Sequence, residues 1–190
     1  IKTTYAIDTT VNSENFRHSK FVAYKVKDAI VDQFKKHENR RPNVRINNPD
    51  LYINVHISHD ECTIALDSSG ESLHKRGYRN SQNEAPISEA LAAGMLLMAG
   101  WNGETDFVDP MCGSGTFLIE AALIALNIPP CIYRQSFAFE KWGDFDADLF
   151  DDIYNDDSRE REFTHKIYGY DINKRTVEIA NENIKSAGLS

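Results

Sequence analysis

The chain has only three cysteines, Cys62, Cys112 and Cys131, and no two lie close in sequence. That leaves no CxxC pair for a structural zinc and no disulfide framework, and it fits a reducing cytoplasm. No apolar run approaches the roughly 20 residues of a membrane span. The longest stretches, Ala92 to Trp101 and Phe117 to Leu126, read as buried helices, and Glu120 interrupts the second. No secretory leader is recognisable, and the first residue is Ile1 rather than Met, as expected of a shortened chain. Internal repeats and low-complexity tracts are lacking too. What remains is an ordinary globular composition, 41% hydrophobic with 11% aromatic, over 190 residues. Disorder is not its default, and the length fits one domain or two small ones.

The net charge of −8 argues weakly against nucleic acid, but its distribution says more. Residues 1–79 carry 13 Lys and Arg against 10 Asp and Glu, whereas residues 80–190 carry 8 against 19. Arg17 to Arg45 alone holds nine basic residues and three acids. Most such charges are solvated faces of a helix. A basic front joined to an acidic back still suggests two modules with different partners.

Tyr5-Ala6-Ile7 reads as a short strand. From about Ser19 to His37, Val22, Val26, Ala29, Ile30 and Phe34 recur at three- and four-residue steps, which predicts an amphipathic helix ended by Arg40-Arg41-Pro42. Val44 to Ile46 and then Leu51, Ile53, Val55 and Ile57, alternating with polar residues, predict strands. Ser58 to Glu61 is a turn, and Cys62 to Leu66 completes a hairpin. Residues 1–79 thus read as a small α+β layer with one helix on a sheet. Leu73 to Asn80 is polar and basic and looks like a linker. Pro86 opens a helical pattern to about Ala99, Phe107-Val108 is a short strand, and Thr116 to Leu126 is a buried helix before Pro129-Pro130. Residues 137–162 are aromatic and then acidic, with ten acids against three bases from Glu140 to Glu162, as in an inserted excursion. Lys166 to Tyr170 is another strand, followed by a helix from about Lys174 to Ala187 with Gly188 at its C′ position.

The strongest motif is Asp109-Pro110-Met111-Cys112-Gly113-Ser114-Gly115-Thr116, between a strand and a buried helix. Strand, glycine-bearing turn and helix build a ligand site at the carboxyl edge of a parallel sheet. Gly113 and Gly115 permit a tight turn and close backbone approach. Ser114 and Thr116 add hydroxyls near the helix N-terminus. A phosphate-binding loop would need a lysine after the last glycine, where Thr116 and Phe117 stand, and a dinucleotide fingerprint would need a third glycine. The acid at the head of the loop, Asp109, would repel pyrophosphate but suits an ammonium and a sulfonium. Asp171, at the end of the next strand, can accept both ribose hydroxyls. These features point to S-adenosyl-L-methionine. Asp109 and Asp171 lie 62 residues apart, against about 20 from loop to ribose acid in the usual fold, and the acidic excursion accounts for the excess.

With these motifs in hand, the chain resembles the bacterial THUMP-domain methyltransferases that modify guanine N2 in large-subunit ribosomal RNA, often labelled N6-adenine-specific DNA methylases. The resemblance is carried by Asp67 to Arg79, by Glu84-Ala85-Pro86-Ile87, by the Asp109 loop and by Tyr168 to Asp171, and spans essentially the whole chain. It implies a partial Rossmann-like α/β methyltransferase domain in residues 80–190, preceded by the later part of a THUMP-like RNA-binding domain in residues 1–79. It further implies that Ala85 and Pro86 flank the cofactor, with Asp109, Pro110, Gly113, Ser114, Gly115, Thr116, Asp171 and Ile172 around it. The basic residues Lys20, Arg40, Arg41, Arg45, Lys75, Arg76 and Arg79, with Tyr78, are the candidates for RNA contact. The family's Asn/Asp-Pro-Pro-Tyr catalytic motif does not occur; Pro129-Pro130 stands between Ile128 and Cys131. The motif is expected beyond Ser190 in a fuller chain, so this one is read as a fragment with no catalytic residue assigned.

Other signals are bland. His56, His59 and Cys62 are spaced three apart, but on a strand and its turn they would not converge on a metal, and no metal is expected. Cys112 reads as a small space-filling thiol. Phe137, Phe139 and Trp142 fit packing as well as they fit a stacking platform for a base. The expected partner is therefore RNA, with no membrane, and the expected reaction is methyl transfer to an exocyclic amine. A DNA adenine methyltransferase is left open by the cofactor half alone, as is a non-catalytic RNA- or cofactor-binding module.

Overall fold

The computed structural model describes residues 3–79 and 86–189. They form two compact units, one comprising the residues up to 71 with 136–146, the other residues 72–135 with those from 147 onward.

The first unit is a four-stranded sheet with one long helix. β1 (Thr4–Asn12) leads into α1 (Ser19–Glu38), then β2 (Asn43–Val44), β3 (Leu51–Ser58) and β4 (Glu61–Asp67), and the strand order is β2-β1-β3-β4. β1 pairs in parallel with β2 and β3, while β3 and β4 form the antiparallel hairpin expected from their alternation. A parallel pair needs a crossover, and α1 supplies it. Val22 of α1 buries against Val55 and Ile57 of β3, with Ile7, Val11, Val26 and Ile53 around them. Val31 is the other buried position of α1, whereas Ala29, expected on the apolar stripe, faces solvent. Asn39 in the left-handed region ends the helix before the Arg40-Arg41-Pro42 sequence is reached. Residues 136–146 include a 3₁₀ turn (Ala138–Lys141) whose Phe139 N–H donates to the Ser68 carbonyl at 3.1 Å. The expected 137–162 excursion is thus divided, because its first part bonds to the end of β4 and its second folds as a separate helix.

The second unit is built on two parallel strands, β5 (Phe107–Asp109) and β6 (Ile167–Gly169). The unit also holds α2 (Glu89–Met98), α3 (Thr116–Leu126), α4 (Ala147–Tyr154) and α5 (Lys174–Ser186), with α3 packed against both strands. Pro86 does not open α2 as expected. Ser88, in extended conformation, is its N-cap, and Pro86 and Ile87 precede it. α3 occupies the predicted span and is buried nearly all round. Gly188 follows the C-cap of α5 with φ +62°, the C′ role read from the sequence. The core gathers Ile119 and Leu123 of α3, Ala187 and, unexpectedly, Tyr78. Each large side chain so buried contributes about 1.5–3 kcal/mol. Among the described residues no helix is long and apolar enough to cross a membrane.

Candidate cofactor-binding site

The β5–β6 pairing ends at Asp109 opposite Gly169, and backbone bonds continue beyond it. Tyr170 N–H donates to the Asp109 carbonyl at 2.9 Å, and Cys112 N–H donates to the Tyr170 carbonyl at 2.8 Å. This stitching brings together the two acids that the sequence separates by 62 residues. Asp109 Oδ1 accepts from Met111 N–H at 3.0 Å. Asp171 Oδ1 accepts from Asn173 N–H at 2.9 Å, and its Oδ2 accepts from Gly113 N–H at 3.2 Å. Asp171 therefore ties the glycine loop to the end of β6. Both carboxylates are half-buried, and an ionised carboxylate offers about four acceptor positions, so each retains capacity for a ligand.

Gly113 has φ +55°, and no heavy atom lies within 4 Å of where its Cβ would project. The space beside Asp171 is thus open, and a side chain at this position would enter it. Gly115 is the N-cap of α3 and packs against Ala180 of α5. Ser114 is buried, and its carbonyl accepts from the buried Asn183 side chain at 3.0 Å. Pro110 is exposed beside Asp109. Met111, Tyr170 and Ile172 are exposed apolar residues at the same strand ends, Ile172 completely so. An uncovered aliphatic side chain next to a carboxylate provides an apolar surface beside a hydroxyl acceptor. Cys112 is buried, and burial first, then the Asp109 and Asp171 carboxylates, push its thiol pKa up. That leaves it an inert space-filler, as read from the sequence.

The 72–79 segment is not the exposed linker expected. Tyr78 is 1% exposed, and its hydroxyl donates to Glu120 Oε1 at 3.1 Å. Arg76 pairs through Nε with the same oxygen at 3.4 Å and donates from Nη1 to the Leu73 carbonyl at 3.1 Å. Arg79 pairs with Glu89 at 3.3 Å, and its Nη2 donates to the Ile87 carbonyl at 3.0 Å and to Thr116 Oγ1 at 2.8 Å. Arg134 donates to the Ser72 and Lys75 carbonyls, both at 3.1 Å. Arg76, Tyr78 and Arg79, candidates for RNA contact, are therefore withdrawn into the unit by carboxylates on α2 and α3, and their candidacy is corrected accordingly. Burial pushes the Glu120 carboxyl above its ordinary range, outweighing the Arg76 cation and the Tyr78 hydrogen bond. Tyr78 is pushed up too, by burial and then by Glu120.

The other basic candidates stay outside. Lys20 on α1, Arg40, Arg41 and Arg45 after its end, and Lys75 are all exposed. Ala85 lies outside the described residues, and Pro86 is half-buried. Glu89, Glu120 and Asn183 are the residues that sequence reasoning missed. Glu120 did carry a signal, an acid inside an apolar helix, which demands a partner when buried. His56 is exposed on β3, and His59 sits at the hairpin turn with φ +52°. Among the described residues no group of three His, Cys, Asp or Glu is placed to hold a metal ion.

Comparison with known proteins sets this geometry in a family. Residues 76–190 match the family model described as "RMKL-like, methyltransferase domain", and residues 1–67 match the THUMP domain. A "Ribosomal RNA large subunit methyltransferase K/L" of Methylococcus capsulatus is 44% identical over 195 residues, covering 98% of this chain and 26% of that protein. A crystal structure from Listeria monocytogenes, described as "a predicted N6-adenine-specific DNA methylase", superposes with a TM-score of 0.85 at 32% identity, covering all of this chain and 50% of that one. A candidate methyltransferase, SMU.472, complexed with SAH, gives a TM-score of 0.82 at 33% identity, with 98% and 50% covered. The chain thus spans between about a quarter and half the length of the relatives it matches.

Proposed function

Since the chain belongs to the RMKL-like methyltransferase family, we propose that it serves S-adenosylmethionine-dependent methylation of an exocyclic amine in RNA, with guanine N2 of large-subunit ribosomal RNA as the specific target. The observation that carries this reading is the meeting of Asp109, Asp171 and the open face of Gly113 at the ends of two parallel strands. The donor set fits the cofactor. Asp171 has acceptor capacity for ribose hydroxyls, Asp109 for an ammonium, Gly113 admits close approach, and the bare Ile172 side chain offers an apolar face to an adenine ring. Pro110, Ser114, Gly115 and Thr116 shape the loop, and Pro86 is assigned to its flank.

When bound, S-adenosylmethionine supplies an electrophilic methyl group on a sulfonium. The work of this chain is then to hold and orient rather than to move protons, since an amine lone pair needs only correct placement. Residues 1–79 are assigned to RNA capture, where Lys20, Arg40, Arg41 and Arg45 present exposed cations to phosphate, and residues 80–190 to the cofactor. The SAH carried by SMU.472 supports the cofactor, and the ribosomal RNA named for the Methylococcus relative supports the substrate. The name of the Listeria relative favours a second reading, adenine N6 of DNA.

Tritiated methyl transfer by the full-length protein separates the two. Ribosomal RNA from a strain lacking the gene should accept label well above genomic DNA. Preferential labelling of DNA would overturn the RNA reading.

A further inference from the structure

Arg79 stands where a cation is electrostatically out of place. Its Nη2 reaches Thr116 at the first position of α3 and the carbonyl of Ile87 just before the N-cap of α2. The N-terminus of a helix carries partial positive charge, so a guanidinium between two of them is disfavoured by both dipoles. Glu89, in the first turn of α2 and 5% exposed, offsets this with its carboxylate 3.3 Å from Nε. Buried ion pairs of this kind are poor devices for stability, because desolvation cancels most of the attraction. In some proteins such pairs are kept because they fix geometry, and the guanidinium's planar fork fixes directions as well as distance.

What the fork joins is specific. Thr116 closes the glycine loop that begins at Asp109, and Ile87 lies in the irregular segment with Pro86 that leads into α2. These are the two stretches assigned to the cofactor from separate parts of the sequence. Three polar atoms from α2, α3 and the Pro86–Ile87 segment converge on one side chain, and the residue before it, Tyr78, lies in the core. Across the loop, Asn183 holds the Ser114 carbonyl from α5.

We infer that Arg79 and Glu89 are positioning residues of the cofactor site, a clamp that sets the separation of the glycine loop from the Pro86–Ile87 segment without touching the cofactor. This rests on the cofactor reading above. Loosening the clamp leaves every ligand-contacting group present but free to shift, and sites loosened in this way lose affinity while keeping their chemistry. The same sequence signal that suggested RNA contact, Arg-Gly-Tyr-Arg, then has a different task.

The test is isothermal titration of S-adenosylhomocysteine into the full-length protein at 15 °C, with the ligand-free thermal midpoint measured alongside. Arg79→Lys keeps the charge and loses the fork, and Glu89→Gln keeps the shape and loses the offsetting charge. Each should weaken binding on the order of tenfold, with the variant still folded well above the titration temperature. A role confined to stability would lower the midpoint and leave Kd unchanged, and that result would overturn the clamp. Should Arg79→Lys prove unfolded, Glu89→Gln carries the same decision by itself. No binding by the native protein sinks the cofactor reading and the clamp together, whereas native binding with unaltered Kd in a folded variant sinks only the clamp.

Discussion

Two basic stretches look alike in sequence and behave oppositely in the structure. Lys20 on α1, with Arg40, Arg41 and Arg45 after its end, is exposed, as are Lys35 and Lys36, which stand in the last turn where the helix dipole welcomes cations. Arg76 and Arg79 are nearly as dense in charge, yet they are folded inward against Glu120 and Glu89. The difference lies in their partners. The buried positions of α1 are both valines, whereas α3 and α2 each place one carboxylate inside the second unit. A buried acid recruits a cation from wherever the chain can deliver one, here from 44 residues before Glu120. Charge density along a sequence therefore reports on recognition only after buried acids have been matched.

The comparison can be broken most forcefully at Arg76. Arg76→Met strands Glu120 without its cation in a site where the side chains are 10% and 1% exposed, and should cost about 3–5 kcal/mol, read as a lower thermal or denaturant midpoint. Adding Glu120→Leu to it should recover much of the loss, since apolar replacement of both partners is often neutral. An equally large loss in the double variant would show that the pair stabilises beyond mutual compensation. Gly77→Ala comes next. A Cβ there would lie 2.2 Å from the Tyr133 carbonyl oxygen at φ +102°, so the 72–79 segment must shift, at about 1–3 kcal/mol. Near-native stability would mean that residues 72–79 are held more loosely than the packing indicates.

A third prediction concerns pH. The folded pKa of Glu120 is raised by burial, so its contribution to stability is present below the unfolded carboxylate value and lost as pH rises through the folded one. Denaturant unfolding against pH should show the native protein losing ground to Glu120→Gln across that window, and a difference independent of pH would contradict the assignment. The smallest stability effect belongs to the exposed stretch. Arg40→Ala with Arg41→Ala should change stability by no more than about 0.5 kcal/mol. In the same variant, RNA affinity should fall. Its log–log salt slope should become shallower by about 0.7 for each single-strand phosphate that the two arginines no longer neutralise. An unchanged salt slope would remove these two arginines from the proposed RNA surface.

Elements with a clear period were legible in the sequence. α1 and the β3–β4 hairpin appear where periodicity placed them, α3 where an apolar run placed it and α5 ahead of its Gly188 stop, and the Asp109 loop was recognisable because glycines, an acid and a buried helix stood in order. The strand-end meeting of Asp109 and Asp171 was inferable only from topology, and backbone pairing supplies it. Residues 72–79 misled because their buried carboxylate partners, Glu89 and Glu120, lie outside the local window in which polarity is judged. Tyr78 was read beside its basic neighbours, although its core companions are Ile119, Leu123 and Ala187. The division of 137–162 was equally hidden, since the bond from Phe139 to Ser68 is a long-range backbone contact that no residue type announces.

The sharpest single measurement is calorimetric titration of S-adenosylhomocysteine into the full-length protein and its Asp171→Ala variant. Removing a carboxylate that accepts ligand hydroxyls forfeits hydrogen bonds to a charged group, worth about 1.5–3 kcal/mol each, so affinity should drop by at least about tenfold while the fold persists. Absence of binding by the native protein, or equal affinity in the variant, would contradict the placement of the cofactor at the ends of β5 and β6.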